Sequence, residues 1–338
     1  MRIMKKTYAK LMTAVMAAAL CVTSLAGCSS KKEATFPDPE KTITLIVPQG
    51  AGGGTDTQAR QLVEAMKTVS KNNNIIVENV TGGSTGTGTN QVIDSEADGY
   101  TLLMYGTYVV CGTMTGYTDG FKKLDFISGL TMEPFVLAVN ADSPYQTFED
   151  LVDAAKANKG QITLGNAGAT ATTGVVAYGL NNALDAPFNV VSFNGGAELI
   201  PAVLGGHCDA GIFSQSEVLA NADGLRPLVF FGDGHSALDE LKDLPNLEDA
   251  GYGDLVVPGG CFRGICAPQG TPDNVKEYLA DVIEKAYNSD DFQNYMKEQG
   301  LLDAYSKLGD FEKYNQEMVD TMKPIIQATG LAKGEYAE

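Results

Sequence analysis

Four segments of this chain place glycines and small hydroxyl residues just where an expected strand runs into an expected helix. The first is Ile46-Val47-Pro48-Gln49-Gly50-Ala51-Gly52-Gly53-Gly54-Thr55-Asp56 and the second is Glu78-Asn79-Val80-Thr81-Gly82-Gly83-Ser84-Thr85-Gly86-Thr87-Gly88. The third is Leu164-Gly165-Asn166-Ala167-Gly168-Ala169-Thr170-Ala171-Thr172-Thr173, and the fourth is Ser192-Phe193-Asn194-Gly195-Gly196-Ala197. Glycine lets the backbone turn sharply and approach a ligand closely. A helix start adds unpaired N–H donors and the positive end of a dipole. Together they hold an anion without a cationic side chain. One such loop is also how an ordinary helix begins, and Thr55-x-x-Gln58 fits a capping box. Four loops in one chain favour a shared binding role, because independent turns do not each need so many glycines.

Several chemistries lack their residues. No Gly-Lys-Ser/Thr follows a glycine-rich loop, and no Gly-x-Ser-x-Gly elbow is present. The only histidines are His207 and His235, and adjacent groups such as His207-Cys208-Asp209 rarely converge on one point. Beyond the N-terminal segment the arginines are Arg60, Arg226 and Arg263. Arg60 falls on the solvated side of a helix, and Arg226 reads as a strand-edge residue. Arg263 lies in a strand expected to return between domains, which makes it the best side-chain clamp for a carboxylate.

The elements that position these loops alternate between strand and helix. Strands are expected at 42–47, 75–80, 100–105, 135–140, 163–166, 189–193, 210–213, 225–231 and 262–266. Helices are expected at 55–70, 87–95, 148–157, 172–182, 197–204, 272–288, 291–299 and 311–328. This alternation implies an α/β architecture with covered sheets, in which ligands collect at strand C-terminal ends.

The N-terminus carries Arg2, Lys5, Lys6 and Lys10, then an apolar run from Leu11 to Leu25, then Leu25-Ala26-Gly27-Cys28. This reads as a lipoprotein signal peptide over 1–27 with Cys28 acylated. A plain secretory signal or an N-terminal membrane anchor is the alternative, although the apolar run is short for a span. Residues 28–40 read as a flexible tether. The net charge is −18; removing four lysines and arginines and no acid takes it to −22. Such a surface argues against nucleic acid and against flat docking on anionic lipid. The lipid anchor is therefore the one membrane contact expected, and no metal or cofactor is. Cys111, Cys208, Cys261 and Cys266 match no zinc spacing and are expected to be mostly buried free thiols.

The ordered set Val47-Pro48-x-Gly50-x-Gly52-Gly53-Gly54-Thr55-Asp56-x-x-x-Arg60, Glu78-Asn79-x-x-Gly82-Gly83-Ser84-Thr85-Gly86 and Ala97-Asp98-Gly99-Tyr100-Thr101-Leu102-Leu103 resembles the solute-binding lipoproteins of tripartite tricarboxylate transporters. Gly205-Gly206-x-x-Asp209, Leu225-Arg226-Pro227-Leu228, Leu244-Pro245-Asn246-Leu247-Glu248-Asp249-Ala250-Gly251 and Ala267-Pro268-x-Gly270-Thr271-Pro272 follow in the same order. The resemblance implies a two-domain periplasmic-binding-protein fold of the Venus-flytrap, type II-like class. It implies one domain of 41–140 with 266–338, another of 141–261, and a hinge near 135–140 and 262–266. It further implies a monomer that captures a small carboxylate and delivers it to a symporter of one large and one small subunit, with no enzymatic step.

The ligand positions implied are Gly52, Gly53, Gly54, Thr55 and Asp56, then Gly83, Ser84, Thr85 and Gly86. Gly168, Ala169, Thr170, Thr172, Asn194 and Gly195 would close from the other domain, and Asp209 matches a position near the cleft. The chain departs from the family at Gln49, at Gly83-Ser84-Thr85-Gly86 where Gly-Ala-Gly-Gly is usual, and at Cys261-Phe262-Arg263, with no Trp anywhere. An exported organic-acid enzyme, and a receptor for an ATP-driven importer or a sensor, are the rival functions. Phosphates or sulfonates are the rival ligands.

Overall fold

The computed structural model describes residues 36–338 apart from 119, 186, 233, 256 and 310. The expected signal segment 1–27, the acylated Cys28 and the first part of the tether lie outside the described residues.

Strand β1 (Ile43–Val47) starts the chain of elements, followed by α1 (Gly54–Val69), β2 (Ile75–Asn79), α2 (Gly86–Ile93), β3 (Thr101–Gly106), α3 (Thr107–Met114) and the long β4 (Leu124–Asn140). Then come α4 (Phe148–Ala157), β5 (Thr163–Asn166), α5 (Thr172–Ala183), β6 (Asn189–Ser192), α6 (Gly196–Leu204), β7 (Ala210–Ser214), α7 (Gln215–Ala220) and β8 (Leu225–Phe230). The chain ends with β9 (Gly260–Pro268), α8 (Asp273–Tyr287), α9 (Asp290–Glu298), β10 (Leu302–Lys307) and α10 (Phe311–Ala328).

The strands join in the order β2-β1-β3-β9-β4-β7-β5-β6, with β8 and β10 also paired to β4. The pairings of β1 with β2 and β3, and of β5 with β6 and β7, are parallel. Those of β9 with β3 and of β4 with its neighbours are antiparallel. Parallel strands need helical crossovers that cover both faces. That is why β1 and β3 are nearly wholly apolar and buried.

Strand β4 connects two sheets. Its first part, Leu124–Pro134, pairs with β9, and Phe135 onward pairs with β7 and β8. The change of partner falls between Pro134, which has no N–H to give a ladder, and Phe135, whose N–H goes to the Gly259 carbonyl at 2.9 Å. Sequence reading places a strand only over 135–140, because Gly129 and Pro134 punctuate the earlier part. The resulting fold is α/β with two lobes.

Three further elements were not anticipated. Helix α3 reads Thr-Tyr-Val-Val-Cys-Gly-Thr-Met, is buried on nearly every side and abuts β3 without a loop. A helix apolar all round carries no 3.6-residue signal. Helix α7 is short, and β10 is an edge strand mixing polar and apolar residues. A continuous core runs from Ile46, Leu103 and Val109 through Phe135 and Leu137 to Leu164, Ile212 and, on α10, Met322 and Ile326. Cys111, Cys208, Cys261 and Cys266 are all buried free thiols, as expected.

Candidate functional site

Three strand ends aim three helix starts at one small cavity. Gly53, Gly54 and Thr55 reach it from α1, Ala171, Thr172 and Thr173 from α5, and Gly196 from α6. None of these helices is capped by the side chain of its own N-cap residue, which is Gly53, Ala171 or Gly195. Helices α4 and α9 are capped by Thr147 and Ser289, whereas α8 starts at Pro272 without a side-chain cap. The cavity walls therefore carry backbone donors left for something else. About 40 Å³ is open inside, room for about three waters.

The β1–α1 loop is fixed from behind. Asp56 is 3 % exposed and accepts from the Gly52 N–H at 2.9 Å, from the Asn79 amide at 2.9 Å and from the Arg60 guanidinium at 2.9–3.0 Å. Burial pushes its carboxyl up, but Arg60, Gly52 and Asn79 together hold it below its ordinary value. Asp56 thus braces the loop that presents Gly53 and Gly54, and its carboxylate already has its partners. Arg60 is half-exposed, yet it is tied to Asp56 and Asn79. The capping box expected from Thr55 and Gln58 does not form. Gln58 is fully buried and instead donates to Thr131 Oγ1 at 2.7 Å and accepts from Arg263.

Arg263 lines the cavity floor with most of its fork already engaged. It donates to Thr55 Oγ1 at 3.2 Å, to Gln58 Oε1 at 3.1 Å and to the carboxylate of the fully buried Glu133. Burial pulls the guanidinium's pKa down, and Glu133 more than restores it.

The other expected residues are dispersed. Gly82, Gly83, Ser84 and Thr85 take positive φ in succession, at 121°, 53°, 48° and 80°. They form a tight loop that does not line the cavity but meets the third loop, where a β-carbon on Gly168 would lie 3.7 Å from Ser84 Oγ. Thr85 Oγ1 and Thr170 Oγ1 are buried hydroxyls without a hydrogen-bond partner. Gly86 is pressed on Tyr117, whose carbonyl would sit 2.3 Å from an added β-carbon. Ala169 stands on the third loop, which packs on α5 so closely that Gly174 must be glycine. Asn194 is held by Glu198, and Gly195 faces Gly50. Asp209 is not brought to the cavity. It precedes β7, accepts from Thr163 N and Oγ1 at 2.8 and 2.6 Å, and is a strand's length from Ser214 at the cavity end.

Sequence reasoning missed Glu217, Glu133, Tyr108 and Ser214. Glu217 Oε2 accepts from the Ser214 N–H at 3.0 Å, which closes a capping box on α7. Its Oε1 receives a long hydrogen bond, 3.5 Å, from Gly54 N at the start of α1. Burial, then the neighbouring Glu133 carboxylate, raise its pKa. The signal for it was a fifth strand-to-helix junction, Ser214-x-x-Glu217 after an apolar strand, overlooked because it has no glycine.

Residues 58–331 match the model of the tripartite tricarboxylate transporter family receptor. A protein of Cupriavidus necator, described as the UPF0065 protein in the gbd 5′ region, is 30% identical over 329 residues, 95% of this chain and 97% of that one. The periplasmic binding protein BugD superposes with a TM-score of 0.80 at 23% identity, over 88% of this chain and 100% of that one. MatC from Rhodopseudomonas palustris with bound malate superposes at 0.74 and 20% identity, over 85% and 98%.

Proposed function

The chain belongs to the tripartite tricarboxylate transporter receptor family, and from that premise we propose that it captures a small carboxylate between its lobes and delivers it to a membrane symporter of one large and one small subunit. The observation that carries this reading is the set of three uncapped helix starts on one cavity. They offer N–H groups and positive dipole ends to an anion whose charge no mobile lysine has to meet. The neighbour solved with malate holds a carboxylate on the same fold.

Capture needs movement, because the cavity of about 40 Å³ has room for only about three waters. The lobes, 41–140 with 266–338 against 141–261, part about the segments near 135–140 and 262–266. The ligand then favours closure by contacting both sides. The receptor acts from the outer face of the membrane, tethered through lipid on Cys28. Among the described residues no helix is long and apolar enough to cross a membrane.

The test is a thermal-shift screen of the purified protein against organic acids, amino acids, phosphate esters and sulfonates. A ligand at a hundred times its dissociation constant adds about 2.7 kcal/mol of stability. Shifts confined to carboxylates support the reading; shifts given only by phosphate esters or sulfonates overturn it.

A further inference from the structure

The charges around the cavity do not balance. Its charged lining residues are Arg263 and Glu217. Arg263 is matched by Glu133, the carboxylate with which it forms a buried ion pair. Glu217 is left over: among the described residues no lysine or arginine forms an ion pair with it. One of its oxygens is spent on the α7 cap. The other points at the start of α1, the place where an incoming carboxylate would bind.

A ligand carboxylate brought to these helix starts meets the remaining N–H groups of α1, α5 and α6 and, beside them, a resident carboxylate. A second carboxylate on the ligand would add repulsion, whereas an ammonium group would supply the missing cation. We propose that Glu217 receives the cationic end of the ligand, so that the pocket selects a compact aminocarboxylate and disfavours dicarboxylates of the same length. This rests on the carboxylate reading above and narrows it. It also separates this chain from the neighbour solved with malate, whose ligand carries no amine. Specificity here is a difference of affinities built partly from repulsion.

Isothermal titration calorimetry at pH 7.5 with two matched pairs tests the proposal: L-alanine against propionate, and L-aspartate against succinate. Each pair differs by one ammonium group. The amino member is expected to bind at least about tenfold tighter to the wild type. Glu217→Gln preserves the capping box and is expected to bring the ratio close to one. Gly196→Ala gives the same result without changing charge, because its β-carbon would lie 1.9 Å from Glu217 Oε1 and push the carboxylate aside. If Glu217→Gln fails to fold, Gly196→Ala carries the comparison. Succinate or propionate binding as tightly as its amino partner, any other carboxylate without an amine binding more tightly than either amino acid, or a preference that survives both variants overturns the proposal and leaves the carboxylate reading standing. Failure of every carboxylate to bind defeats both.

Discussion

Arg263 on β9 and Glu133 on β4 form a buried ion pair along the diagonal of the antiparallel pairing that leads to the change of sheet. Arg263 lies directly opposite Thr131, and Glu133 opposite Cys261. Both side chains are at most 4 % exposed. The same guanidinium reaches Thr55 and Gln58 on α1, so one side chain ties the crossing strand to the helix start that lines the cavity.

Arg263→Met is therefore expected to lose about 3–5 kcal/mol, because it strands a charged Glu133 in the interior. Adding Glu133→Leu is expected to recover much of that loss, since replacing both partners by apolar groups removes the unpaired charge. Urea unfolding of the two variants and the wild type checks this. Equal stability of the single and double variants would refute it.

Asp56 sets the acid limb of stability for the first loop. Its carboxyl is held below its ordinary value of 3.8 in the folded protein. The stability it adds is present above that value and is lost as pH falls through the lower folded value. Asp56→Asn is expected to cost about 1–2 kcal/mol at pH 7, most of it from the buried bonds to Gly52 and Asn79. The half-exposed Arg60 contributes little of this. Denaturant titrations from pH 7 down to about 2 should show the difference between wild type and variant shrinking below the ordinary Asp value. A constant difference would mean that the carboxylate's charge is irrelevant.

Thr85 carries a stability cost in both its backbone and its side chain. Its φ of 80° suits glycine, and its hydroxyl is buried without a partner. Strain of this kind costs of order 1–3 kcal/mol and clusters at functional sites. Thr85→Gly is expected to stabilise the ligand-free protein by roughly 1 kcal/mol, after subtracting the lost methyl burial. It is also expected to weaken binding of the best carboxylate from the screen several-fold. Calorimetric melting and titration of the same samples give both signs. A variant that is less stable, or that binds equally well, would leave Thr85 without a role in the ligand site.

Much of this was legible in the sequence. Loops such as Gly50–Asp56 and Ala167–Thr173 announce helix starts by their glycines and hydroxyls, and alternation of strand and helix fixes an α/β class. Pairings distant in sequence were not legible. Glu133 reads as an unremarkable acid before Pro134, and only the register of β4 on β9 places it against Arg263. The contact of Glu217 with the Gly54 amide was hidden for the same reason, since 163 residues separate the two. Helix α3 escaped because complete burial erases the periodicity that reveals a helix. Asp209 was attractive by its motif, but the side chain holds Thr163 at the opposite end of β7.

Gly52 and Gly54 stand two positions apart and are glycine for different reasons, which predicts opposite behaviour. Gly52 has φ of 85° with open space where a β-carbon would go. Gly52→Ala therefore costs about 1–2 kcal/mol of backbone strain while leaving the cavity's shape alone. Gly54 has ordinary helical geometry but no room: an added β-carbon would lie 2.9 Å from Ser214 Oγ, 3.1 Å from Glu133 Oε2 and 3.2 Å from Ser216 Oγ. Ser214 and Ser216 belong to the β7–α7 junction in the other sheet, so Gly54→Ala wedges α1 away from it. The helix itself gains from alanine. The expected result is a melting temperature within about 2 °C of wild type for Gly54→Ala, a shift of under roughly 1 kcal/mol, with carboxylate affinity reduced tenfold or more and a larger radius of gyration by X-ray scattering in the presence of ligand. Gly52→Ala is expected to melt lower and bind nearly normally. If the two variants lose affinity and stability in parallel, the approach of Gly54 to the β7–α7 junction is not what closes the site.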